Sequence, residues 1–367
     1  MKSTESRLLV KPDLNRSEYI HVTPQSAGWE HLSFRAVRLN QGEEWHFNTE
    51  ENELALTILG GTVDVTSNQG KWHAIGSRAD VFHGMPTTLF LSRRTEFTVA
   101  AKYGAADFAC GWAAATKDFP ARLVRPEEVN IELRGGENAS RQINQMIPPG
   151  FPCERLVVVE VYTPPGNWSS YPPHKHDVRR LDGNGNLLEA DLEEVYFYKI
   201  DKPEGYAYQR CYTDDRKIDE IMLVQNDHLV LSPEGYHPVV AAHGYTAYYL
   251  NILAGSDQSL ASADDPAYAW IKDTCEKPSR QMGARSAVLE ARFHGVSGRA
   301  KMEWLLSDYA DLAEACWDDV GACIDDLEEQ DDEWTRPEEC TRACGCTSGG
   351  TGGVAGLASA LAAMGLV

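Results

Sequence analysis

Positive charge is scarce in this chain. Lys and Arg number 34 against 55 Asp and Glu, for a net charge of −21, and no Lys/Arg run is longer than the pairs Arg93-Arg94 and Arg179-Arg180. A polyanion of this kind repels a phosphate backbone and an anionic lipid surface, which excludes nucleic acid and membrane as expected partners. Long hydrophobic runs are missing too: no apolar stretch reaches the roughly 20 residues needed to span a bilayer, and the nearest approach, 352–367, is built from Gly and Ala. Residues 1–11 lack the apolar segment of a signal peptide. Cysteine is thinly spread, with Cys110, Cys153, Cys211 and Cys275 isolated and the other five between Cys316 and Cys346. Scattered cysteines without an export signal read as reduced thiols of a cytoplasmic protein.

What remains is 367 residues, 43% of them hydrophobic, punctuated by 30 Gly and 18 Pro. That is enough for two domains. From Glu18 to about Ala115, short apolar segments alternate with Gly, Asn and Pro, and no helical periodicity runs through them. Leu54–Leu59, Gly60-Gly61 and Thr62–Val65 predict a β-hairpin on paired glycines. Val81-Phe82, Thr88–Leu91, Phe97–Ala101 and Phe108–Trp112 continue the strand rhythm. Lys117–Arg141 reads as a linker. The rhythm then resumes at Leu156–Tyr162, Glu194–Ile200, Tyr206–Tyr212, Glu220–Val224, His228–Leu231, Val239–Ala242 and Thr246–Leu253. The stretch Asp80–Pro86 parallels Leu229–Pro238, so the two halves echo each other, and a duplicated β-barrel is expected. The domains expected are 1–125, 126–273 and an extension over 274–367. Within that extension, Ala284–Arg292 and Lys301–Leu327 predict helices, the latter strongly acidic. Cys340, Cys344 and Cys346 sit in a Gly/Ala/Ser-rich end and read as free thiols or, with Cys316 or Cys323, a zinc site.

The chemistry concentrates in Gly166–Asp177. His174 and His176, two apart in an extended segment, face the same side, while Lys175 faces away. Two imidazoles on one face can hold one borderline metal ion; the alternative is a pair of histidines on a solvated edge. Glu194 opens the apolar segment Val195–Tyr198, and His237 follows a Ser-Pro-Glu-Gly-Tyr turn. Three His and one Glu from separate strands suit one divalent ion, Zn or Mn first and Fe or Ni as alternatives, with positions left open for a ligand.

His-x-His, a following Glu and a Gly-x-His-Pro turn on short strands resemble the cupin metal motifs. More specifically, His21–Trp29, Pro120–Leu123, Val159–Asp177, Tyr212–Arg216 and Pro233–Pro238 resemble the 5-deoxy-glucuronate isomerase family of inositol catabolism, bicupins related to 4-deoxy-hexosulose-uronate ketol-isomerase. The resemblance covers roughly Leu8 to Ile271. It implies an all-β double cupin and an aldose–ketose isomerase acting on a small sugar acid. It also implies metal ligands His174, His176, Glu194 and His237, with Glu194 preferred over Glu193. Val178–Glu193 reads as an inserted loop. The first half has no His-x-His, so His46, His73 and His83 are expected to be ordinary histidines and that barrel a scaffold.

Tyr196 and Tyr198 share the parity of Glu194 and are expected to face the cavity. Tyr196 and Tyr212 are the candidates for proton transfer, and Gln209, Arg210, Tyr198 and Asn251 for substrate contact. A net charge of −21 makes a local cation for an anionic substrate an expectation. Arg210 could clamp a carboxylate, or form a structural pair with Asp214, Asp215 or Asp219. A cupin Fe(II) dioxygenase and a sugar-binding bicupin without catalysis are the alternative functions. A homodimer is the assembly considered.

Overall fold

The computed structural model describes residues 6–273. The helices expected beyond 274 and the Cys340–Cys346 cluster lie outside them. The described residues form an all-β molecule in which two sheets repeat one strand order. The first runs Arg122–Val124, Thr87–Leu91, Asn52–Gly60, Ala106–Ala114, Leu32–Leu39, Glu18–Val22. The second runs Leu9–Val10, Leu229–Ser232, Leu187–Ile200, Ala247–Gly255, Val157–Thr163, Arg141–Ile147, Asn130–Arg134. A smaller four-stranded sheet accompanies each, Glu44–Asn48, Glu96–Ala100, Val63–Ser67 and Gly70–Ile75 in the first half and Trp168–Ser169, Val239–Ala241, Ala207–Tyr212 and Asp219–Val224 in the second. Leu9–Val10 pairs with Val230 and Leu229, so the chain's first strand completes the sheet of its later half.

The two large sheets are nearly continuous apolar strands because each is buried on both faces. One face lines its own barrel and the other packs against the opposite half, as fully buried strands require. Phe34 and Phe197 meet across this junction with ring centroids 5.4 Å apart. Gly111 lies so close to Ile252 that a Cβ there would stand 2.5 Å from its Cδ1. Two carboxylates latch the halves reciprocally. Glu193 accepts the backbone N–H groups of Glu30, His31 and Leu32, and Glu53 accepts those of Glu154, Arg155 and Leu156 at 2.6–2.9 Å. The Arg78 guanidinium, 1% exposed, grips the fully buried Glu160 with two nitrogens at 3.0 Å. Asn144, Tyr162 and Tyr248 also donate to Glu160.

Four local expectations are corrected. Asn52–Gly60 and Val63–Ser67 are not a hairpin but belong to different sheets. Gly60-Gly61 carries the chain between them, under the carbonyls of Ala79 and Ala105, where a Cβ would meet oxygen at 2.6 and 2.4 Å. Val81-Phe82 is a turn. Lys117–Arg141 is not a bare linker, since Arg122–Val124 and Asn130–Arg134 are strands. Val178–Glu193, expected as a loop, is mostly a β-hairpin of Asp177–Leu181 with Leu187–Ile200. Its turn is Asp182-Gly-Asn-Gly, where the Asp182 carboxylate accepts the N–H groups of Asn184 and Asn186 at 2.8 Å, an Asx-type closure.

Candidate metal centre

The interiors of the two barrels differ. The first is filled by aromatics, with Trp45 against Phe97 and Phe108 at 5.8 and 5.5 Å and Phe47 against Trp112 at 5.0 Å. His46, His73 and His83 sit outside it, their side chains 56–69% exposed beside Thr98, Asp64 and Asp80. The second barrel carries polar side chains inward, and His176, Glu194 and His237 converge there. One ligand atom from each lies within 4.8 Å of the others, and all three residues are buried. Glu194 Oε2 is 3.0 Å from His176 Nε2 and 3.3 Å from His237 Nε2. The half-buried His174 completes the ring of imidazoles, its centroid 5.1 Å from His237 and 6.4 Å from His176. Glu193, the neighbour that the resemblance set aside, faces the first barrel.

The backbone determines which nitrogens face inward. His174 Nδ1 lies 3.2 Å from the Pro172 carbonyl, His176 Nδ1 3.0 Å from that of Leu192 and His237 Nδ1 2.8 Å from that of Gly235. Each carbonyl takes a proton from Nδ1 and leaves an Nε2 lone pair, the tautomer that carbonyl-bound metal-ligating histidines adopt. His237 Nε2 is buried and has no hydrogen-bond donor. Lone pairs on Nε2 facing a carboxylate repel unless a cation lies among them, so this donor set fits a divalent ion. Burial pushes His174 and His237 down to about 3; His176 adds to the fall at both, while the Glu194 carboxylate opposes it at His237. His176 is also pulled down by burial, but Glu194 outweighs that and leaves it raised. Asp177 anchors the cluster: its carboxylate accepts the Gly235 N–H at 2.9 Å, and Gly235 in turn holds His237.

The other candidates divide. Tyr196 stands beside the imidazoles, its ring 5.7 Å from His237 and its hydroxyl 3.0 Å from Ser170 Oγ. Tyr198 faces the same cavity and donates to Gln209 Oε1 at 2.8 Å. Asn251 is buried and donates to the Val195 carbonyl at 3.1 Å. Arg210 and Tyr212 alternate to the face opposite Gln209. Arg210 is held by Asp219 through two contacts of 2.8 and 2.9 Å, which is the structural pair and not a clamp in the cavity. Tyr212 donates to Asp265 at 2.8 Å and stacks under Arg210 and Arg216, away from the imidazoles. Sequence reasoning missed Tyr249, whose ring lies 4.9 Å from Tyr196, and Arg141, buried at the start of an inner strand. Period-two parity from Asn251 reaches Tyr249. Arg141 had no such cue, because it fell in a stretch read as linker.

Two barrels of matching strand order, one closed by aromatics and one holding a His/Glu cluster, define a double cupin with a single candidate metal centre among the described residues. The model of the KduI/IolB family matches residues 8–271, and the chain belongs to that family. A Geobacillus thermodenitrificans protein named 5-deoxy-glucuronate isomerase is 40% identical over 256 residues, 70% of this chain and 91% of its own. The crystal structure of an IolB-like protein from Salmonella typhimurium superposes with a TM-score of 0.69 at 35% identity, covering 73% of this chain and all of that one. An oxalate decarboxylase of Bacillus subtilis, at 13% identity and a TM-score of 0.50 over 71% of this chain and 80% of its own, shares the fold alone. Among the described residues no helix is long and apolar enough to cross a membrane.

Proposed function

We propose that the chain is a metal-dependent aldose–ketose isomerase that converts 5-deoxy-glucuronate to 2-deoxy-5-keto-gluconate in the cytoplasm, with residues 126–273 as the catalytic barrel and 1–125 as its scaffold. The reading rests on one observation above all: the buried imidazoles of His176 and His237, each fixed through Nδ1 by a backbone carbonyl, bring Nε2 within 3.0 and 3.3 Å of Glu194, with the His174 ring beside them, in a chain of the KduI/IolB family. His174, His176, Glu194 and His237 would hold the ion, Zn or Mn before Fe or Ni given three imidazoles and one carboxylate. A bound divalent ion supplies Lewis-acid polarisation of the carbonyl and stabilises negative charge developing on the sugar oxygens.

The isomerisation removes protons from C2 and its hydroxyl and delivers one to C1 and one to its oxygen, so it needs no oxidant. Tyr196 is the side chain placed to exchange a proton beside the imidazoles, with Ser170 orienting its hydroxyl. Tyr198, set by Gln209, and Asn251, set by the Val195 carbonyl, shape the wall against which the sugar lies. The Asp177–Gly235–His237 connection holds the turn in register.

Incubation of the purified protein with 5-deoxy-glucuronate in deuterated water should yield ketose with deuterium at C1, equally in air and under argon. Oxygen consumption would point to the dioxygenase alternative, and binding without deuterium incorporation to the sugar-binding one. Either result would remove the isomerase reading.

A further inference from the structure

The small sheets of the two barrels hold the same place in the duplicated fold, and their registers align the outer faces row for row. In the first barrel His46 lies opposite Thr98, Thr98 opposite Thr66 and Thr66 opposite Lys71. The matching row in the second barrel is Trp168, Val240, Tyr208 and Leu223. Gln209 and Cys211 alternate into the barrel, so Tyr208 and Arg210 point outward, and Ile221 lies opposite Arg210. A polar row in one barrel is thus an apolar row in the other. Tyr208 and Leu223 are exposed, and Ile221 is 70% exposed. A sheet face that meets only water is ordinarily polar, and a contiguous apolar patch on a surface marks a contact.

The described chain already lies against one end of this face where it stops. Ala263–Asp264 pairs with His174–Lys175, Asp265 accepts the Tyr212 hydroxyl at 2.8 Å, and Tyr268 acts electrostatically on both Arg210 and Tyr212. Tyr212, Arg210 and Tyr208 follow one another along the outer side of one strand. The stretch after Ala263 therefore closes the Tyr212 end and leaves the Tyr208 end open. Residues 274–367 come next. The family match stops at residue 271, and the IolB-like crystal structure is covered in full by 73% of this chain, so the extension is an addition to the matched fold. Within it Met302, Leu305, Tyr309 and Leu312 recur at helical spacing with acidic residues interspersed, the pattern of a helix with one apolar stripe. The 28 residues of 274–301 can reach about 90 Å when extended, and a four-stranded sheet is only about 15 Å across.

We propose that this outer face of the second barrel is the docking surface for residues 302–317 of the same chain, whose apolar stripe lies on Tyr208, Leu223 and Ile221 as a helix lies on a sheet. The same contact screens Asp219–Val224, an edge strand paired on one side only among the described residues, and covering an edge in this way prevents pairing with other chains. The docking does not depend on the isomerase reading.

The test uses the full chain with a benzophenone amino acid at position 221 or, as control, at position 66, in an equal mixture of unlabelled and nitrogen-15-labelled protein. Irradiation and peptide mapping should join position 221 to 302–317 within one chain, with no isotopically mixed pairs and no such product from position 66. Mixed pairs would assign the face to a second copy, and the absence of products with 302–317 would leave it without this occupant; either result overturns the proposal. Hydrogen exchange on full-length Leu223→Asp gives an independent reading. The exposed position should leave the melting temperature of the barrels unchanged, while the amides of 302–317 should exchange at least about tenfold faster than in wild type, the loss of one apolar side chain's burial. Unchanged exchange in 302–317 would overturn the proposal.

Discussion

Replacing Arg78 by Met tests how the two barrels are joined. Arg78 reaches from the first half into the second, where two of its nitrogens contact Glu160 at 3.0 Å and its Nε donates to the Ile58 carbonyl at 3.1 Å. With side chains 1% and 0% exposed, neither charge has water as a substitute partner. Methionine fills much of the volume but leaves the carboxylate with only the neutral donors Asn144, Tyr162 and Tyr248. Breaking one partner out of a buried pair costs about 3–5 kcal/mol. The three remaining donors place the expected loss near the lower end, about 3 kcal/mol. Urea unfolding of Arg78→Met, Glu160→Gln and the double variant, followed by far-ultraviolet circular dichroism and tryptophan fluorescence, measures the effect. Each single change should lower stability by that amount. The double variant should lose clearly less than the two losses combined, because the second substitution removes the charge that the first leaves stranded. A loss under about 0.5 kcal/mol in Arg78→Met, the range of an ordinary surface change, or strictly additive losses, would refute the reasoning.

Two further predictions concern the same junction. Glu193→Ala removes an acceptor of three backbone N–H groups and should cost about 2–3 kcal/mol, measured by urea unfolding, with metal content unchanged because Glu193 faces away from the imidazoles. Asp227 bridges Lys199 and Arg38 at 2.7 Å. Burial pulls its carboxyl up, but the two cations outweigh that and hold it below the ordinary carboxylate range. A depressed folded-state value stabilises the protein above the unfolded value of about 3.9, and the contribution fades as pH falls through the folded value. The stability gap between wild type and Asp227→Asn should therefore be full at pH 7 and shrink progressively below about pH 4.

Much of this architecture was legible in the chain. The strands around Thr87–Leu91, Ala106–Ala114 and Ala247–Gly255 announce themselves as β-branched and aromatic runs, and the duplicated order follows from the repeated turn that precedes Pro86 and Pro238. The shared face of His174 and His176 was readable from parity, whereas Glu194 was chosen over Glu193 by the resemblance, since the strand start expected there lies in the middle of Leu187–Ile200. Other features were hidden for definite reasons. Gly60-Gly61 has hairpin composition, yet the glycines serve close approach to Ala79 and Ala105, a tertiary contact invisible to local pattern. Arg210 and Gln209 are adjacent, and only the register of Ala207–Tyr212 decides that Gln209 faces in. Arg141 lies past a Pro- and Gly-bearing stretch whose strands are short and partly exposed, so nothing local marks it as part of an inner wall.

The account turns on whether the His174, His176, Glu194 and His237 cluster works by holding a divalent ion. Stripping the protein with a chelator and titrating Zn or Mn back while following ketose formation from 5-deoxy-glucuronate tests this directly. Activity should vanish on stripping and return in proportion to bound metal, reaching its plateau at one ion per chain. Full turnover by the metal-free protein would contradict it.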